Sequence, residues 1–292
     1  METTFQLLVN GLAMGSIYSL IALGFVLVYV AVNVVNFAQG DFIMVGAFIC
    51  LSLYSNGIPI WFALIASVLI MGIFGFLYQI GVYRPFRSRS KSFLPVMIST
   101  LGASMFFQSL FLVIYGPDPR SLPPLIGGDP IQLGGLPLPR QSLVIIVFAL
   151  LLFGFQFFLF EKTNLGKKMQ ATAQDPETAR LMGINVAWMN GLTFVYCTAL
   201  GGIAGILLAP LFTLTTTIGS IFGLKAFAAA IVGGFSDAKG AIVGGLFIGV
   251  IESFSAYFGM GAYMDASAFI VLVLFLIFRP SGLFGEKIGT KA

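Results

Sequence analysis

Histidine is absent from all 292 residues, and charge is scarce: Asp, Glu, Lys and Arg make up 9% of the chain while 58% is hydrophobic. Soluble domains carry roughly 25% charged residues, so a water-soluble globule is excluded. Without imidazole there is no conventional zinc ligand set and no unperturbed side chain that titrates near neutrality as a base. The two cysteines, Cys50 and Cys197, lie far apart in apolar runs; they form no metal cluster and read as small buried hydrophobes. No G-x-x-x-x-G-K-[ST] loop occurs, since the nearest glycine–lysine pair, Gly166-Lys167, is followed by Lys168 and Met169. Nothing in this chain would therefore cradle a nucleotide phosphate. A G-x-S-x-G nucleophile elbow is also missing, and no basic tract interleaved with aromatics points to nucleic acid. No small-residue cleavage site or basic flank marks the first apolar run as a signal peptide, so it reads as a retained span.

What fills the chain is apolar sequence. A bilayer core takes about 20 apolar residues per helix. Candidate spans fall at 5–32, 61–83, 93–115, 141–160, 188–214 and 240–260, with shorter ones at 42–54, 218–235 and 267–278. The expectation is an all-α polytopic membrane protein of eight or nine transmembrane helices, a single transmembrane domain over 1–292 with broken or re-entrant segments where the short stretches fall. A β-barrel would show short alternating strands instead. Glycine pairs at four-residue spacing, Gly11/Gly15, Gly240/Gly244 and Gly245/Gly249, mark places where helices approach closely.

Eleven of the fifteen basic residues cluster in three regions: Arg84 to Lys91, Lys162 to Arg180, and Arg279 to Lys291. Short basic loops stay in the cytoplasm, which places these regions and the C-terminus inside and the Pro/Gly-rich segment 116–140 outside. The net charge of +4 is thus a matter of topology.

Between the first two apolar runs lies a polar knot, Asn33, Asn36, Gln39 and Asp41 among them. The run that follows, 42–54, is too short to span unaided. Either part of the knot lies at membrane depth, where irregular backbone must be buried in protein or line a wet cavity, or it is an interfacial turn with Asp41 as an N-cap. Further on, Lys225 and Glu252 stand in apolar runs flanking a turn at 236–239. Lys225 is 11 residues before Ser236 and Glu252 is 13 after Lys239, depths of roughly 17 and 20 Å at 1.5 Å per residue. The two would be nearly level, and an ion pair near the translocation pathway is expected. A purely structural pair, or a re-entrant 218–235, is the alternative. Asp41, Lys225 and Glu252 are functional candidates by default, because intramembrane charge is costly.

The longest polar stretch, 161–187, contains a short helix marked at both ends. Asp175 is an N-cap type, Pro176 suits the first helical position, and Glu177 suits the positive end of the dipole. Arg180 falls in the last turn and Gly183 is placed to end the helix. Two turns, 176–182, are unstable alone in water, so this helix packs on the protein or docks into a partner. Three classes of function compete: a secondary transporter or channel, a membrane-embedded enzyme, and a translocation subunit driven by a separate ATPase. The first would usually show coupling carboxylates or histidine, and the second a catalytic cluster that is missing. The capped helix favours the third.

Five stretches carry a resemblance along the chain: VNFAQGDFIMVGA (35–47), YRPFRSRS with STLGAS (83–104), LGKKMQATAQDPETARLMGIN (165–185), GLKAFAAAIVGGF with GAIVGGLFIGVIES (223–253), and RPSGLFG (279–285). In order and spacing the chain resembles the branched-chain amino-acid permeases of bacterial ABC transporters, and among them the shorter, LivH-like subtype. The resemblance implies an inner-membrane importer with a paralogous longer permease as heterodimer partner, two cytoplasmic ATPases that bind the ATP, and an extracytoplasmic solute-binding protein. It makes Asp175, Pro176, Glu177, Ala179, Arg180 and Gly183 ATPase-coupling residues. Lys167-Lys168 departs from the family's Arg with small residues. Branched-chain amino acids are the expected substrate, with urea or short-chain amides as the alternative within the same family.

Overall fold

A computed structural model describes residues 2–89, 93–133, 136–257 and 264–285. Among these residues the architecture is helical, with one pair of short antiparallel strands. In chain order the helices are α1 (Glu2–Val32), α2 (Asp41–Ser55), α3 (Ile60–Tyr78), α4 (Arg84–Arg89), α5 (Leu94–Tyr115), α6 (Arg140–Phe157), α7 (Asn164–Gln174), α8 (Pro176–Leu181), α9 (Val186–Leu208), α10 (Ile218–Gly233), α11 (Ala238–Ser255) and α12 (Met264–Phe278). Strands β1 (Ile131–Leu133) and β2 (Leu136–Leu138) pair antiparallel, Ile131 opposite Leu138.

Among the described residues, seven helical stretches are long and apolar enough to cross a membrane, and α10 and α12 are shorter apolar helices. The chain is a multi-pass membrane protein. Two of the stretches run through π-helical turns, Gln79–Tyr83 after α3 and Phe158–Lys162 after α6, single-turn insertions of a kind common at functional sites.

The helices sort into a centre and a periphery. In its most apolar window α1 is 83% buried, whereas α5 and the stretch built on α6 are 22% buried. Central helices are apolar on every face, as buried helices must be. The outer ones leave stripes of large apolar side chains uncovered, such as Phe62, Ile65, Leu69, Ile73 and Leu77 along α3. Lipid tails are as apolar as leucine, so close packing of small residues, not hydrophobicity, assembles the centre. A methyl added to Gly15 would stand 2.7 Å from the Cα of Leu246, and one on Gly11 would stand 2.9 Å from the Cα of Val250. Gly245 and Gly249 close the same α1–α11 seam from the other side, while Gly240 and Gly244 turn toward Gly233 of α10. The two expected glycine pairs of α11 thus serve two different neighbours.

The basic regions converge on one end of the bundle. Arg84, Arg87 and Arg180 line a common cavity with Asn33 and Ser236. Behind α12 the chain returns to Gly233 and Val232, whose carbonyls accept from the amides of Phe284 and Leu283. At the opposite end Leu214 and Arg120 exchange two backbone hydrogen bonds, 2.7 and 3.0 Å, and Gln6 of α1 reaches the Pro137 carbonyl. Consequently α1 begins at the end opposite the basic face.

Several expectations need correction. The span expected at 188–214 is helical only to Leu208, and 209–217 is an irregular connection anchored by the Leu214–Arg120 bridge. Leu214 of that bridge precedes α10, and Ser236, which follows α10, lines the cavity at the basic end. Asp41 is not an N-cap: Gly40 holds that position without a side-chain cap, and Asp41 is the first residue of α2. The expected 240–260 helix is α-helical from Ala238 to Ser255 and π-helical at 256–257, with 258–263 outside the described residues.

Candidate functional site

The stretch 161–187 folds as two helices and not one. Thr163 caps α7, its hydroxyl accepting from the Gly166 amide at 3.1 Å. Gly166, Met169 and Thr172 form the buried face of α7. Sequence reasoning missed this helix, although Thr163 followed by apolar or small residues at three-residue intervals signals it. Asp175 then breaks the chain with an extended backbone and starts α8 at once. Its carboxylate accepts from the amides of Glu177 (2.9 Å) and Thr178 (3.2 Å) and from the Thr178 hydroxyl. These bonds, the Thr178 hydroxyl foremost, hold the Asp175 carboxyl below the usual carboxylate range. Pro176 occupies the first helical position.

The other end of α8 closes as a Schellman motif. Ile184 donates to the Ala179 carbonyl and Gly183 to the Arg180 carbonyl, both at 3.0 Å, with Gly183 at φ +80° in the left-handed region that glycine enters freely. Ala179 is buried, seating α8 on the protein, while Glu177 and Arg180 are exposed. Leu181 and Met182 are 88% and 78% exposed. Two large apolar side chains are thus bared at the tip of a polar, doubly capped helix. The sequence signal was present, a Leu-Met pair directly before the closing glycine. Asn185 accepts from the Trp188 amide and starts α9.

The second feature is a polar seam inside the bundle. Asn33 ends α1 at φ +55°, a left-handed conformation that asparagine tolerates better than most residues. From there the chain turns inward. The Asn36 side-chain oxygen accepts from the Ala38 amide at 3.2 Å and the Tyr78 hydroxyl at 2.8 Å. Gln39, fully buried, donates to the Cys197 carbonyl midway along α9. Asp41, 1% exposed, accepts from Gln108 of α5 at 2.9 Å. Asn36, Gln39 and Asp41 therefore lie within the bundle, and Gly40 between them packs against Gly219 and Gly223 of α10.

A third feature is ionic. Lys225 and Glu252 form a buried ion pair, and the Tyr18 hydroxyl donates to the other oxygen of Glu252. Asp265 at the start of α12 lies 2.6 Å from the Lys225 ammonium and is 71% exposed. Neither Tyr18 nor Asp265 was foreseen, because both come from helices distant in sequence. The cluster and the seam lie against α10 but share no hydrogen bond or ion pair among the described residues. Asn33 stands apart from both, in the wall of the basic-end cavity with Pro176 and Arg180. No group of three metal-ligating side chains occurs among the described residues.

Comparison with known proteins gives this geometry a context. The chain is 35% identical to the high-affinity branched-chain amino acid transport system permease protein BraD of Pseudomonas aeruginosa, covering 96% of this chain and 95% of that one. It is 31% identical to the corresponding permease protein LivH of Escherichia coli, with the same coverage. A probable branched-chain amino acid transport permease protein of Methanocaldococcus jannaschii is 30% identical over 91% of this chain and 88% of its own. The model of the family described as branched-chain amino acid transport system / permease component matches residues 7–278, and the chain belongs to that family.

Proposed function

We propose that this chain is the membrane-spanning permease subunit of an ATP-driven importer of branched-chain amino acids. It sits in the bacterial inner membrane with its basic face and C-terminus in the cytoplasm. The observation that carries the reading is α8, capped at both ends and seated by Ala179, with Leu181 and Met182 bared at its tip. Such a helix suits insertion into an apolar groove of a separate ATPase. Asp175, Pro176, Glu177, Ala179, Arg180 and Gly183 shape and hold it. Closure of the ATPase pair would move α8 as a unit, and α7 and the Asn185 cap would pass that motion to α6 and α9. Rigid-body displacement of packed elements is the usual form of such switching.

The partners of this reading are a paralogous longer permease, two cytoplasmic ATPases and an extracytoplasmic solute-binding protein. ATP belongs to the ATPases. The seam of Asn36, Gln39 and Asp41 and the Lys225–Glu252 pair are the polar groups available to border a translocation pathway.

The test is reconstitution of the four-component transporter in proteoliposomes. Labelled leucine, isoleucine and valine should be taken up only with ATP and binding protein present. Uptake of urea or a short-chain amide in their place would overturn the substrate, and uptake by this chain without ATP would overturn the class.

A further inference from the structure

The cavity at the basic face is about 990 Å³, at the upper end of the roughly 300–1,000 Å³ typical of small-molecule sites. It opens between the end of α1, the π turn and α4, the α7–α8 corner, and the start of α9. Arg84, Arg87 and Arg180 all line it, and no Asp or Glu is among its lining residues. None of the three arginines takes part in an ion pair among the described residues, whereas Lys225 and Lys239 both do. The Arg87 guanidinium is held 5.1 Å over the Phe93 ring. Three guanidiniums around one concavity repel one another, and a shared oxyanion removes that repulsion by the paired hydrogen bonds their geometry matches.

The remaining wall is selective beyond charge. Asn33, Gln79 and Asn190 offer amide oxygens, and Val32, Phe93 and Val186 offer apolar surface. An α-amino acid satisfies all three sets at once. Its carboxylate meets the arginines, its ammonium meets amide oxygens, and its aliphatic side chain meets the apolar wall. Resting on the import reading given above, we infer that this cavity is a product site: the imported branched-chain amino acid binds it from the cytoplasm and slows transport. An occupant held by both Arg84–Arg87 and Arg180 ties α4 to α8 and restrains the helix that must move with the ATPase.

The experiment uses the complete transporter in proteoliposomes with the ATPases facing the bath and binding protein with labelled leucine inside. Unlabelled leucine, leucinamide or inorganic phosphate is titrated into the bath while ATP hydrolysis and leucine release are followed. Leucine should lower hydrolysis severalfold, and leucinamide, which lacks the carboxylate, should not. Relative to each variant's own uninhibited rate, Arg87→Gln and Arg84→Gln should raise the half-inhibitory concentration at least tenfold, and Arg87→Lys should raise it less. Release of labelled leucine without any inhibition by bath leucine overturns the product site and leaves the import reading intact. Equal inhibition of wild type and both glutamine variants also overturns it. Inhibition by phosphate at the same concentrations would assign the cavity to oxyanions generally and overturn the amino-acid assignment. Absence of leucine release at any bath concentration counts instead against the import reading.

Discussion

Lys225 carries an ammonium group into a helix bundle where it meets Glu252, Tyr18 and Asp265. The energetics of such a pair are asymmetric. Removing one partner strands a buried charge at a cost of about 3–5 kcal/mol, while replacing both by apolar groups of similar volume is often neutral. Lys225→Met should therefore lower unfolding resistance in detergent by about that amount, and Lys225→Met with Glu252→Met should recover most of it. A double variant as unstable as the single one would show that the pair is not the coupled unit described. At Gly183 the constraint is the backbone alone, because a methyl added there would meet no heavy atom within 4 Å while φ is +80°. Left-handed backbone costs an L-residue about 1–2 kcal/mol, and a β-branched side chain resists it most. Gly183→Val should assemble normally yet lose most ATP-driven uptake, with Gly183→Asn intermediate. Wild-type uptake by the valine variant would remove α8 from the coupling assignment.

At the scale of elements, α8 depends on its N-cap residue and α1 on its fit to α11. The folded Asp175 carboxyl sits below its ordinary value near 3.8. The cap's contribution is therefore complete above about pH 4 and lost as pH falls through the lowered folded value. Amide exchange across 176–183, corrected for intrinsic rates, should rise over that acid window in the wild type. Asp175→Asn, still a cap but not titratable, should flatten the dependence; an unchanged profile in Asp175→Asn would assign it to another group. Along the α1–α11 seam, Gly15→Leu drives four heavy atoms into the Leu246 backbone, and overpacking costs at least about 1–3 kcal/mol. Yield of folded protein should collapse. Gly154→Ala, on the outer face of α6 with nothing within 4 Å, should be tolerated. Equal yields from the two would mean the seam is not close-packed.

For the whole molecule the decisive property is division of labour. The chain offers no phosphate loop, so the purified subunit should show no saturable ATP binding in an equilibrium assay. Binding that unlabelled ATP displaces would count against an ATPase-driven permease. The basic face gathers Arg84, Arg87, Arg180 and the end of α12 at one end of the bundle, while Arg120, Leu214 and the β1–β2 pair stand at the other. Bulky thiol reagents that cannot cross membranes should label Ser121→Cys in intact spheroplasts and spare Glu177→Cys until the membrane is opened. The reverse pattern would invert the orientation.

Apolar run length and scarcity of charge determined by themselves that this is a helical membrane protein, because backbone in hydrocarbon must satisfy its hydrogen bonds within each segment. Capping chemistry determined α8, since Asp175, Pro176 and Gly183 act through bonds no longer than one turn. Four-residue glycine spacing marked the tight helix faces but not which helix each would meet. Level counting across a turn anticipated Lys225 beside Glu252. What only the tertiary structure decided are the contacts made across long separations in sequence: Tyr18 and Asp265 closing the ionic cluster, and Tyr78, Gln108 and the Cys197 carbonyl receiving the polar seam. The same holds for three arginines from α4 and α8 meeting across one cavity. Local sequence encodes torsions and nearest-neighbour bonds, whereas these partners are chosen by how the helices stack, which follows from small-residue fit along surfaces that no single segment contains.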